Sequence, residues 1–146
     1  MKADLTYLFD TYSLAALATC DHDNRPYINL VAVAVTADLK HILFSTNMFT
    51  QKYNNISNNP KVSLLLDSRK NSITDFSDAI AVTVIGTCTE LGSEELPDFL
   101  EIYLKKNPEL ADFVHSKDNV LFKVEVEKYI LVKNFKDVFE LNMNVS

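Results

Sequence analysis

Short alternating runs rich in Val, Ile, Leu and Ala, set apart by polar turns, recur along most of this chain and constrain its fold more than any other feature. Side chains that repeat with a period of two belong to strands with one buried face. Residues 14–20, 27–36, 41–46, 61–67, 79–91, 120–126 and 129–135 carry that signature. Most of the intervals between them are too short for the crossover that parallel strands need, so hairpins must connect them. Six or seven such strands with few helices predict a mainly β fold with flanking helices, an antiparallel barrel that is closed or nearly so. A chain of 146 residues fits one domain over 1–146, with a core large enough to need no disulfide staples.

The helical segments are few. Leu5, Leu8, Phe9 and Tyr12 predict a short amphipathic helix over 3–12 that packs on, or plugs, the core. Residues 93–106 predict a longer one, with Leu96, Phe99, Leu100, Tyr103 and Leu104 on one side and a solvated face of Glu94, Glu95, Asp98, Glu101 and Lys105 on the other. Asn107-Pro108 stops it, and Pro108 opens a shorter helix to about Ser116. Residues 68–78 read as a polar loop, and Glu127-Lys128 as a turn between the last two strands. Gly86, inside the run 79–91, predicts a bulge or a close backbone approach.

Two glycines in the whole chain exclude both a Walker A loop and a G-x-G-x-x-G fingerprint. Asn and Asp must then supply tight turns, as in Asp21-His22-Asp23-Asn24 and around Ala37-Asp38. Cys20 and Cys88 form no C-x-x-C pair and sit in or beside apolar runs, which predicts reduced core thiols. His22, His41 and His115 have no metal-ligand spacing, so no metal site is expected. A formal charge of −6 without a basic stripe argues against nucleic acid. No apolar run approaches the length of a membrane span and no leader pattern opens the chain, so a cytoplasmic location is expected.

One stretch departs from the acidic background. Residues 40–70 hold Lys40, Lys52, Lys61, Arg69 and Lys70 against Asp67 alone, a local surplus of four positive charges. Between the strands at 41–46 and 61–67, Phe49, Tyr53 and Ile56 share one helical face, and Asn58-Asn59-Pro60 ends that helix. Thr50, Gln51 and Lys52 then occupy its first turn, where unpaired N–H groups and the helix dipole favour an anion. Lys40, Lys61 and Lys70 read as ordinary exposed lysines.

Thr50-Gln51-Lys52, Asn59-Pro60, Val62-Ser63-Leu64-Leu65 and the downstream Val82-Thr83-Val84-Ile85-Gly86 together resemble the FMN-binding split-barrel family typified by pyridoxamine 5'-phosphate oxidase. The resemblance is strongest over 14–91. It implies a split β-barrel, an FMN cofactor, and a homodimer with the flavin at the subunit interface. It places Lys52 on the FMN phosphate, with Thr50 beside it and Gln51 where a phosphate-binding Arg often stands. It sets Ser45 and Thr46 along the cofactor and runs the backbone around Val31, Ala32 and Val33 beside the ring, with small alanines letting a flat ring approach. Arg69, in a Ser-Arg-Lys run after the fourth strand, becomes a second positive partner. Leu30 replaces a phosphate-binding arginine of the oxidases, and their C-terminal Trp-containing segment has no counterpart, so pyridoxamine phosphate oxidation itself is not expected.

The resemblance implies an FMN-dependent oxidoreductase that passes electrons from a reductant such as NAD(P)H to a small acceptor. No catalytic side chain stands out, and hydride transfer to a flavin requires none. The other readings are a flavin carrier or sensor without turnover, and a haem-binding split barrel for which His115 is the one axial ligand considered.

Overall fold

The computed structural model describes residues 1–144. Its elements in chain order are α1 (Lys2–Thr11), β1 (Leu14–Cys20), β2 (Pro26–Val35), β3 (His41–Asn47), α2 (Gln51–Asn58), β4 (Lys61–Asp67), α3 (Asp75–Asp78), β5 (Ala81–Glu90), α4 (Leu96–Lys106), a 3-10 turn (Pro108–Leu110), α5 (Ala111–Val114), β6 (Asn119–Lys133) and β7 (Asp137–Asn142). All strand pairs are antiparallel, in the order β3-β2-β1-β4-β5-β6-β7. A further pairing of β3 with β6, from His41↔Glu125 to Asn47↔Asn119, closes the first six into a barrel. This is the six- to seven-stranded antiparallel barrel with flanking helices that the alternation predicts.

Inward residues of each strand build the core: Ala15 and Leu17 on β1, Val31 and Val33 on β2, Ile42 and Phe44 on β3, Val62, Leu64 and Leu66 on β4, Val82 and Val84 on β5. Helix α1 packs Leu5, Leu8 and Phe9 onto this cluster, each nearly or wholly buried. Its last carbonyls are unpaired by geometry. The Lys106 ammonium, from the end of α4, donates to the carbonyls of Phe9 (2.5 Å), Asp10 (3.3 Å) and Tyr12 (3.3 Å), and so ties two distant helices together. A second apolar cluster holds α4 against the outside of the barrel through Tyr103, Ala34, Leu43, Leu91 and Leu121.

The chain departs from expectation at its end. Instead of a turn at Glu127-Lys128, β6 runs unbroken through it, and the register against β5 slips at Ile85/Gly86. Ile85 faces Lys128 while Gly86 faces Val126, so Glu127 is the extra residue of a bulge. The bulge reverses the alternation: Val124 and Val126 are buried before it, Tyr129 and Leu131 after it. A phase change of this kind looks, in sequence, like two strands and a turn. A Cβ on Gly86 would stand 2.5 Å from the Glu125 carbonyl oxygen, which explains the glycine at the bulge. The true turn is at Asn134 and Phe135, both at positive φ, and it leads into β7.

Smaller differences have equally local causes. α4 starts at Leu96 because Pro97 belongs in a first turn, and residues 93–95 precede it as a turn. The loop 68–78 contains the single-turn α3. Asn24 takes a left-handed φ of 62° as the turn chemistry predicts, whereas after Asp38 it is Leu39 that does so, at 63°, with its side chain buried in the core. Both cysteines are free; Cys88 is buried, which pushes its thiol pKa well up, and Cys20 is half-buried.

Candidate functional site

The register of β2 explains where a ligand can enter. Thr36 donates its N–H to the His41 carbonyl at 3.0 Å, so even-numbered residues of β2 point their backbone groups at β3. Val33 donates instead to Ser13 at 2.9 Å, on the β1 side. The β2–β3 ladder stops at Val33↔Phe44 while β3 continues to Asn47 against β6. Beyond that point the two strands diverge and the barrel is split. The N–H and C=O of Leu30 face this gap, because Leu30 sits opposite Ala16 at a non-hydrogen-bonded position of the β1–β2 ladder.

A cavity of about 330 Å³ occupies the split. Leu30, Val31 and Ala32 form one wall and Ser45, Thr46 and Asn47 the other; Thr50 and Lys52 of α2 stand at one end, with Tyr103 and Phe113 also on its lining. The surface is mostly apolar and suited to a flat ring. Its polar groups are few. Ser45 Oγ donates to the Val120 carbonyl at 3.0 Å, and Tyr103 donates its hydroxyl to the Ala32 carbonyl at 3.1 Å.

Helix α2 is built to present its first turn here. Thr50 is its N-cap and accepts from the Tyr53 N–H at 3.3 Å. The same hydroxyl donates to the Asn47 carbonyl at 2.9 Å and lies 3.2 Å from Thr46 Oγ1. Asn55, 1 % exposed, donates to Thr19 Oγ1 on β1 at 2.9 Å and accepts from Gln51 Nε2 at 2.7 Å. This buried amide sets the rotation of the helix on the barrel. Lys52 is half-buried with no carboxylate paired to it among the described residues, and burial holds its pKa below the usual lysine range. A desolvated ammonium with no counter-ion, beside the free N–H groups of a helix start, is a site that an anion would stabilise.

The cavity therefore gathers Lys52, Thr50, Ser45, Thr46, Val31 and Ala32. It does not include Gln51, Val33 or Arg69. Gln51 turns to Asn55. Val33 points into the core at 1 % exposure, and its carbonyl accepts from Asn107 at 3.1 Å. Arg69 is exposed and pairs with Asp67 at 3.1 Å. His115 is exposed and lines a separate depression of about 180 Å³ with Glu90 and Asn119. Sequence reasoning missed Asn55, Tyr103 and Phe113: the first reads as one of several helix asparagines, and the other two reach the site only through tertiary packing.

Comparison with known proteins gives the family and the fold. No curated protein matches the chain significantly. Among solved structures, a haem-binding protein from Mycobacterium smegmatis superposes with a TM-score of 0.82 at 12% identity, over 92% of this chain and 55% of that one. The chain thus spans little more than half of that protein's length. HutZ, the haem storage protein of Vibrio cholerae, gives 0.75 at 15% identity over 94% of this chain and 92% of its own. An FAD-binding protein from Mesorhizobium loti gives 0.70 at 19% identity over 90% and 93%. At these identities the likeness establishes the shared fold. The model of the family described as pyridoxamine 5'-phosphate oxidase matches residues 1–133, through the end of β6, and the chain belongs to that family.

Proposed function

We propose that the split between β2 and β3 binds FMN, and that the protein is a flavin carrier or sensor first and an oxidoreductase only if a reductant such as NAD(P)H reaches the bound ring. The observation that carries this reading is the unpaired, half-buried Lys52 at the capped start of α2, opening onto a cavity whose surface is mostly apolar. Lys52 and the first-turn N–H groups would hold the phosphate, with Thr50 fixing the turn. The donor and acceptor of Leu30 would meet the polar edge of the ring, and Ala32 leaves room for its face. FMN would supply the redox chemistry. The cavity lining contains no His, Cys, Asp or Glu, so this chain's own part is binding and orientation.

The same wall supports the homodimer reading. Leu14, Ile28, Leu30 and Leu65 are exposed on adjacent strands, with Ala16 and Ala18 between them, and they form an apolar face continuous with the cavity through Leu30 and Ala32. We assign this face to a second copy of the chain, which would cover the open side of the site. Among the described residues no helix is long and apolar enough to cross a membrane.

Haem is the second reading, favoured by the haem-binding proteins among the structural relatives. A carboxylate of a haem would suit Lys52 as a phosphate does. His115 lies outside the cavity, however, and no other histidine lines it, so axial ligation has no candidate within the site. Absorbance of the purified protein, followed by titration with FMN and with haemin, decides between the two. Saturable FMN binding with flavin bands supports the proposal; a Soret band with no FMN binding replaces it by haem. Failure to bind either removes both.

A further inference from the structure

The segment that joins α4 to β6, residues 107–119, is tied to both of the strands that part. At one end the buried Asn107 donates its side-chain amide to the Val33 carbonyl of β2 at 3.1 Å, where the β2–β3 ladder stops. At the other end Asn119 stands opposite Asn47, the last residue of β3, and the Met48 N–H donates to the Asp118 carbonyl at 2.9 Å. The segment is thus a strap across the split. Between its ties Leu110 and Val114 pack on the second apolar cluster. The backbone at Phe113 is fixed twice over: its carbonyl accepts from the Asn119 side-chain amide and from the Ser116 N–H at 3.2 Å. The Phe113 side chain belongs to neither apolar cluster and stays 44 % exposed on the lining of the cavity, with Leu110. A large apolar side chain left open on a fixed backbone, at the edge of an apolar cavity, loses its contact with water when a ligand fills that cavity.

We propose that Phe113 is a ring-contacting residue: its side chain lies against the flat aromatic part of the ligand and selects for a planar ring, whatever group occupies the Lys52 end. An aromatic side chain packs on such a ring offset or edge-on, with more attraction than an aliphatic one of equal area. This rests on the flavin reading above and adds a contact that is independent of the phosphate. The two ends of the site therefore make opposite predictions for a flavin that lacks the phosphate.

Phe113→Ala lowers the affinities for riboflavin and FMN by the same factor, about tenfold, and Phe113→Tyr keeps both near those of the unaltered protein. Lys52→Met, in contrast, weakens FMN alone. The chain has no tryptophan, so Phe113→Trp sets a single indole against the ring and shortens the fluorescence lifetime of bound riboflavin, whereas Phe135→Trp, at an exposed turn, leaves it unchanged. In the unaltered protein loaded with riboflavin, nuclear Overhauser contacts join the Phe113 ring protons to those of the flavin ring, a measurement that does not depend on any variant folding. Absence of those contacts, or riboflavin affinity within about twofold of the unaltered protein in Phe113→Ala, would overturn the ring contact and leave the phosphate anchor standing. An unaltered protein that binds neither flavin removes the flavin reading itself, and the ring contact with it.

Discussion

Removing the amide of Asn55 tests whether the helix that carries Lys52 is fixed from within. The side chain makes two hydrogen bonds, to Thr19 at 2.9 Å and from Gln51 at 2.7 Å, and both Asn55 and Thr19 are almost completely buried. Each bond contributes about 0.5–1.5 kcal/mol net, and a buried hydroxyl left without its partner adds about 1–3 kcal/mol. Because the Thr19 hydroxyl can rotate, the lower part of that range applies, and Asn55→Ala should destabilise the protein by about 2–3 kcal/mol. For a chain of this size that corresponds to a melting temperature lower by about 5–10 °C. Urea denaturation of Asn55→Ala, Thr19→Val and the double variant gives the coupling directly. The double variant should lose less than the two singles together, by about 1 kcal/mol, since Val at position 19 leaves nothing unpaired. Strictly additive losses, or a single-variant loss below about 0.5 kcal/mol, would show that the amide does not anchor α2.

Other perturbations probe the frame around the site. Gly86→Ala sets a methyl against the Glu125 carbonyl and the Val124 side chain and should cost about 1–3 kcal/mol in denaturant unfolding. Lys106→Met removes the cation that closes the end of α1 and should cost about 1–2 kcal/mol, with amide exchange rising first around Phe9 to Tyr12. Asp21, Asp38 and Asp75 are held below the ordinary carboxylate range by hydrogen bonds, chiefly from the Arg25 N–H, the Thr36 hydroxyl and the Lys70 N–H respectively. A depressed folded pKa gives stability that is present above pH about 4 and lost as pH falls through the folded values, so the melting temperature should drop in acid and the drop should shrink in Asp38→Asn. Leu30→Glu on the exposed β2 face should leave the fold intact and yield a monomer in sedimentation at micromolar concentration, whereas an unaltered protein already monomeric there would refute the dimer face.

The barrel was legible because alternation is a local property: each strand announces its buried face, and hairpin intervals fix the neighbours. Gly86 was legible too, since a lone glycine in a strand has few explanations. The end of the chain was not. The bulge at Glu127 shifts the alternation by one residue and imitates a turn, while the real turn uses Asn134 and Phe135 without a glycine to mark it. At the site, Thr50 and Lys52 were readable from helix-start chemistry. Gln51 is expected at the same anion from its place in the first turn and from the family position it occupies, but successive helical positions point about 100° apart and its side chain donates to Asn55. The strand's alternation sends Val33 inward from Ala32, and Arg69 pairs with a neighbouring carboxylate, so neither side chain lines the cavity. Tyr103 was read only as one apolar position on a helix, because the bond from its hydroxyl to the Ala32 carbonyl is made only in the tertiary structure.

Paired titrations with FMN and riboflavin, on the unaltered protein and on Lys52→Met, bear on the anion site most directly. Losing one charge-assisted hydrogen bond of about 1.5–3 kcal/mol corresponds to a factor of about 10 to 150 in dissociation constant. The unaltered protein should prefer FMN over riboflavin by a factor in that range, and Lys52→Met should bind the two alike, with riboflavin affinity unchanged. Equal affinities in the unaltered protein, or a preference that survives the loss of the lysine, would contradict the assignment of the helix start as the phosphate anchor.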